Sequence, residues 1–236
     1  MPMVLTHASV DLPFAFETSA WLLPAAAIAT RTAADTSGAV MADADMGLGD
    51  VAEFGVSSLV DVAARDTPYV FATFKLGVAE SRVFDGQPAV ALAFRKSFEH
   101  VHDGVTTRLA QLSLTASKHL GQRVAVHASG AMWDALVEAP LRERGDETRV
   151  SQLAASAGVE VAVHDRIGVM IDAGFARDSD AHFTPTVSLS GRYLARPWLA
   201  LESAYVTNGP ETRLVAGVSV QTHALRRAVL ALEPAR

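Results

Sequence analysis

The chain has 236 residues, 26 acidic against 20 basic side chains, a net charge of −6 and no cysteine. That balance excludes a protein that neutralises nucleic-acid phosphates, and the missing thiols exclude disulfides, thiolate catalysis and thiolate-bound metals. Half of the residues are hydrophobic, yet the longest apolar run, residues 20–29, contains Pro24 and falls far short of a membrane helix.

The hydrophobicity is spread by two-residue alternation, the period of a β-strand whose successive side chains face opposite ways. In chain order, a first strand is predicted at 22–32 and a short one at 39–47 with Asp43 and Asp45 on one face. Residues 51–63 set Phe54, Val56, Val60 and Val62 against Glu53, Gly55, Ser57 and Asp61. Residues 69–79 set Val70, Phe74 and Leu76 against Thr73, Lys75 and Gly77, and residues 89–98 set Val90, Leu92 and Phe94 against Arg95 and Ser97. Residues 106–117 and 123–133 follow, with Gln111, Ser113 and Thr115, then Arg123, His127 and Ser129, on their polar faces.

The pattern is cleanest at 151–163, where Leu153, Val159, Val161 and Val163 oppose Gln152, Ser156, Gly158 and Glu160. Residues 167–176, 183–194, 198–207 and 213–221 complete the series, with Asp172, Ser190, Arg192, Glu202, Arg213 and Ser219 on their polar faces. The count is about twelve, an even number that puts both chain ends on one rim. Tight turns at 48–50, 119–122, 164–166 and 195–197 alternate with longer links, of which 134–147 is the longest. Residues 135–144 are expected to form an external loop with a helical turn. The stretch before Gln87 is a longish link where a tight turn is due.

On these strand dyads (Val159-Glu160-Val161-Ala162-Val163), on the turn Met46-Gly47-Leu48-Gly49-Asp50, and on aromatic residues near strand ends (Phe98, Phe175, Phe183, Tyr193, Tyr205), the chain resembles bacterial outer-membrane β-barrel proteins. The resemblance implies an all-β, transmembrane, up-and-down antiparallel barrel of about 12 strands, with a range of about 10–12. Residues 1–21 would form an N-terminal periplasmic segment, 22–222 the barrel and 223–236 a C-terminal tail. The tail departs from the family pattern, because no terminal aromatic closes the last strand. Residues 1–19 lack Lys and Arg and carry Asp11 and Glu17, so an export leader is expected upstream of them.

Alternation does not say which face points inward. A closed sheet of about twelve strands is too wide for Val and Ala to fill, since about eight already leave just enough room for side chains. The polar face is rich in Gly, Ala, Ser and Thr, sparse for a water-exposed surface. The apolar face is therefore expected outward, against outer-membrane lipid, around a narrow polar lumen.

The lumen is expected to carry Lys75, Arg95, Arg123, Arg192 and Arg213 against Glu53, Asp61, Glu160, Asp172 and Glu202, charges of mixed sign that pair across strands. The functional expectation is a passive small-solute pore or a structural membrane protein. It needs no cofactor and leaves the oligomeric state open. One alternative is a soluble lipocalin-like binding barrel, with the apolar face inside. Another is an outer-membrane lipid hydrolase, because His127 and Ser129 share a strand face at i and i+2 in a His-x-Ser spacing similar to that of outer-membrane phospholipase A. His100 and His102, beside Glu99 and Asp103, are the only candidate metal ligands.

Overall fold

The computed structural model describes residues 19–49, 51–62, 67–102, 105–139, 146–177 and 182–222. These form one antiparallel sheet that closes on itself. Its strands are β1 (Ile28–Asp35), β2 (Ala39–Gly47), β3 (Ala52–Asp61), β4 (Tyr69–Val78), β5 (Ala89–Ser97), β6 (His100–His102), β7 (Val105–His119), β8 (Val124–Ala139), β9 (Asp146–His164), β10 (Ile167–Arg177), β11 (Phe183–Arg196), β12 (Leu199–Asn208) and β13 (Glu211–Gln221). Apart from β5 and β6, which both pair with β7, each strand pairs with its neighbour in sequence; β1 pairs with β13, and the β5–β7 pairing closes the ring. The short β6 lies on the same side of β7 as β5. β5 and β6 are therefore two parts of one strand, split at Phe98 and Glu99, and the barrel has twelve staves. The split is an irregularity of the bulge type: both Ser97 and His100 are buried with two residues between them.

The start of β1 and the end of β13 lie on one rim, here the terminal rim. Tight turns close it at 120–123, 165–166 and 197–198. In the first of these Gly121 has φ 111°, a conformation that side chains with a Cβ rarely adopt. The exception is the link 79–88, which is folded around Gln87: the Gln87 side chain accepts from Val83 N, and its carbonyl accepts from Ser81 N.

Two expected elements differ. The first strand is Ile28–Asp35, not 22–32, because residues 19–23 leave the sheet altogether. Of the expected loop over 135–144, residues 135–139 are ladder and 140–144 lie outside the described residues: β8 runs to Ala139 and β9 starts at Asp146, in register from Val124↔Val161 to Ala139↔Asp146. Arg149 grips Asp134 through two hydrogen bonds, at 2.7 and 2.6 Å, and extends the hairpin beyond the rest of the far rim.

The faces sort by polarity. Outward positions carry Phe54, Phe74, Leu76, Leu92, Phe94, Leu112, Leu114, Val159, Val161, Ile171, Leu189, Leu201 and Val218, all exposed. Buried inward positions carry Glu53, Ser57, Arg95, Gln111, Thr115, Ser117, His127, Asp172, Ser188, Glu202 and Ser219. This is the inverse of a soluble ligand-binding barrel. The aromatic side chains of Phe98, Phe175, Phe183, Tyr193 and Tyr205 also point outward, near strand ends.

The outward apolar band generates a prediction. Ile171→Arg places a cation at a mid-strand outward position and should destabilise the folded barrel by about 2–4 kcal/mol. Urea unfolding in lipid vesicles measures it. A neutral Ile171→Arg would contradict the assignment of faces.

Candidate functional site

The lumen contains three layers of different chemistry. Nearest the far rim is an apolar cluster of Ala33, Ala39, Met41, Leu59, Phe71, Ala204, Val206 and Val215, against which Tyr69 and Leu109 pack. These positions have inward parity on six neighbouring strands, β4-β3-β2-β1-β13-β12. Leu109 joins them from β7, two staves from β4 with only β5 between. Arg95 borders this layer, with its guanidinium 4.2 Å from the Phe71 ring centroid and its Nη2 donating to Ser57 Oγ.

The middle layer is ionic. Arg31 donates to Asp43 from Nε and Nη2, at 3.1 and 2.8 Å. Arg192 donates to Glu202 in the same forked way, and Ser219 donates to the same carboxylate at 2.9 Å. Each pair joins residues directly opposite on neighbouring strands, Arg31↔Asp43 and Arg192↔Glu202. Lys75 stands 3.5 Å from Glu53, again a cross-strand pair. Charges taken out of water need such partners.

The third layer is main chain. Residues 19–23 run inside the barrel along the β2–β5 and β7–β8 wall, and the chain then turns at Pro24–Ala27 into β1. Ala20 N donates to Ser117 Oγ at 2.8 Å, Leu23 N donates to Glu53, and the Trp21 carbonyl accepts from Lys75 Nζ at 2.9 Å. The Trp21 indole stacks on the His119 ring at 4.3 Å and meets His127 edge-on at 5.2 Å. Small wall residues make the room. Ala20 packs on Ala89 and Ala91, and a Cβ on Gly47 would lie 2.2 Å from the Pro24 carbonyl oxygen. His119 is tied from below by Glu80, 2.6 Å from its Nδ1. The hydrogen bond from His119 holds the Glu80 carboxyl below its ordinary value, so this contact is present at neutral pH and is lost on acidification through the carboxylate range.

The remaining candidate residues separate. Glu160 is 3.5 Å from His127 Nε2, and Arg213 contacts Asp35 and Glu211 near the far rim. Asp172 is buried on β10, Asp61 is half-buried at the end of β3, and Arg123 is exposed beside the Gly121 turn. His127 and Ser129 do not form a catalytic pair: Ser129 Oγ bonds Ser156 Oγ at 2.7 Å, whereas His127 Nδ1 faces Ser117 Oγ at 2.8 Å. Ser117, His127 and Glu160 form a serine–histidine–acid chain on paper. However, the Ser117 oxygen already accepts the Ala20 N–H, which places it in the plane of that peptide group rather than above a carbonyl carbon, and the residue is 1% exposed. This chain positions the lumen segment. His100 turns inward, stacks on Tyr69 at 3.6 Å and bonds Thr67 through Nε2, with the His102 ring 6.4 Å away. Among the described residues no group of three metal-ligating side chains converges, and Asp103 lies outside them.

Two cavities of about 190 and 220 Å³ flank Ser19 and share Arg31, Arg192 and Glu202. A third cavity, of about 400 Å³, lies beside Trp21, Leu22 and Val78 toward the terminal rim. Trp21, Arg31, Ser117, His119 and the apolar layer were not among the sequence candidates. Parity alone could have found Tyr69, Phe71 and Leu59, which are large apolar residues at polar-face positions.

No family model matches the chain, and no curated protein matches it in sequence. Solved structures match its fold. The KdgM porin in complex with disordered oligogalacturonate is 7% identical with a TM-score of 0.58, covering 82% of this chain and 98% of that one. An outer-membrane channel from Pseudomonas putida F1 is 12% identical with a TM-score of 0.56, covering 86% and 98%. The NanC porin is 11% identical with a TM-score of 0.52, covering 82% and 98%. The chain has the fold of bacterial outer-membrane porins and channels.

Two predictions follow from the lumen contacts. Gly47→Val puts side-chain atoms where the Leu23 and Pro24 carbonyls lie, so it should expel residues 19–23 from the wall. With Trp133→Phe and Trp198→Phe leaving Trp21 as the sole indole, its emission should shift to the red. Arg192→Ala leaves the Glu202 side chain, 4% exposed, without its cation. Because Arg192 itself is half exposed, the loss should be about 1–3 kcal/mol, between the costs of breaking an exposed and a buried pair, read by chemical unfolding.

Proposed function

We propose that the protein is an outer-membrane β-barrel through which small polar solutes pass passively, and that in the state described here the passage is narrowed. The observation that carries this reading is a closed barrel that turns its charged, mutually paired side chains inward and leaves two connected polar cavities beside Ser19. The outward apolar face suits a bilayer, where only closed sheets or helices satisfy every backbone group. The cross-strand pairs give the lumen no ring of one sign, so strong anion or cation selectivity is not expected.

Two features set the conductance in this reading. The Trp21 segment fills the terminal half of the bore, and the apolar layer around Phe71 lines the far half. A hydrophobic constriction resists ions because water leaves it readily. Planar-bilayer recording tests both. The wild type should pass only small currents, Trp21→Ala should raise them several-fold, and Trp21→Ala combined with Phe71→Ala should raise them further. If all three fold, as judged by heat-modifiable migration on a gel, and none conducts, the barrel is structural and the pore reading fails.

A further inference from the structure

We propose that the wall holding Trp21 is a solute-binding site, that its ligand is a zwitterionic aromatic amino acid, and that the chain's own Trp21 occupies it at rest. This deepens the pore reading above and rests on it only for how the solute reaches the site. The cradle presents three kinds of group to one small volume. His119 offers a ring face 4.3 Å from the indole and 21° from parallel with it, and His127 offers an edge contact at 5.2 Å. Lys75 donates to the Trp21 carbonyl oxygen at 2.9 Å, and Glu53, 3.5 Å from Lys75, accepts the main-chain N–H of Leu23.

The ring and acceptor oxygen of Trp21, with the donor nitrogen of Leu23 two residues on, mark where the ring, carboxylate and ammonium of an aromatic α-amino acid would bind. Its carboxylate would take the place of the Trp21 carbonyl on Lys75. Its ammonium would find Glu53, and its ring would fill the slot between the two histidines. The opposed charges of Lys75 and Glu53 favour a zwitterion over an anion or a cation of the same shape.

The cradle does not depend on its occupant for its shape. His127 is fixed by Ser117 on one side and faces Glu160 on the other, and His119 is fixed by Glu80. The occupant, by contrast, is held lightly. Residues 19–23 belong to no strand, and they meet the wall through three main-chain hydrogen bonds, the indole and the packing of Ala20 on Ala89 and Ala91. Ser19 borders both cavities, so a solute in the lumen lies next to the segment it must displace.

Isothermal titration of the full chain in detergent with L-tryptophan tests the site without a membrane or a current. If the internal Trp21 fills the cradle nine-tenths of the time or more, its removal in Trp21→Ala should lower the apparent Kd at least tenfold. L-alanine, which lacks the ring, should bind at least tenfold more weakly than L-tryptophan. Adding Lys75→Met to Trp21→Ala should lose at least tenfold of the gain. Should Trp21→Ala fail to fold, Gly47→Val frees the same cradle by a different route and carries the same expectation. Equal Kd in the wild type and the freed variant, binding of L-alanine as tight as L-tryptophan, or no binding in either chain overturns the proposal. A freed barrel that binds L-tryptophan yet never conducts refutes the pore and leaves the site standing; one that conducts without binding refutes the site alone.

Discussion

Closure of the sheet is the constraint on which the rest of the structure depends. A bilayer interior offers no water to an unpaired N–H or C=O, so a spanning sheet can have no edge. Here β1 meets β13 and β5 meets β7, and every stave is flanked on both sides. Once the ring is closed, each residue of a strand is committed to one of two environments, and a slip of one position would exchange them along the whole strand. Bands of Phe, Leu, Val and Ile face out, while Arg, Glu, Asp and Ser face in.

Closure also creates the interior problem that the lumen solves. Twelve staves enclose more space than side chains of Val and Ala can fill, and charges placed there leave bulk water. Three fillings answer this at three depths. Met41, Leu59, Phe71, Val206 and Val215 line the far end with a hydrophobic cluster. The pairs Arg31–Asp43 and Arg192–Glu202 link neighbouring strands in the middle, where each guanidinium fork satisfies one carboxylate. At the terminal end the chain uses itself, laying Ala20, Trp21 and Leu23 against Ser117, Lys75 and Glu53. The small residues Gly47, Ala89 and Ala91 on the wall belong to the same solution, since bulkier side chains would occupy the path of the segment.

The sheet was largely legible in the sequence and the contents of the lumen were not. Alternation fixes which strand residues share a face locally, so Val159 and Val161 on one face and Gly158 and Glu160 on the other follow from parity without any long-range information. Residues 19–23 gave no such signal: Trp21-Leu22-Leu23 reads equally well as the start of a strand, and its partners lie as far away as Ser117, 97 residues on. Strand pairing hid the role of His127: it stands directly opposite Ser117 on β7, which supplies the contact to its ring, while Ser129 bonds Ser156 on β9. The apolar layer was legible in principle, because Tyr69, Phe71 and Leu59 break the polar parity of their strands near one rim. Only the closed ring shows that they meet. The hairpin β8–β9 misled for another reason: polar, charged residues over 134–147 suit a loop or an extended, water-exposed ladder equally well, and the Arg149–Asp134 fork favours the ladder.

The chain contains no cysteine, so a single engineered pair reports on the lumen segment without background. Ala20 N and Ser117 Oγ are 2.8 Å apart, and the double variant Ala20→Cys/Ser117→Cys puts two thiols at that contact. Non-reducing electrophoresis of the folded barrel, after mild oxidation in outer-membrane vesicles, should show near-complete cross-linking. A pair with Cys in place of Val161 instead of Ser117, on the outward face, should show none. A barrel that is folded and yet leaves the Ala20→Cys/Ser117→Cys thiols free to react with a water-soluble maleimide would show that residues 19–23 do not fill the lumen.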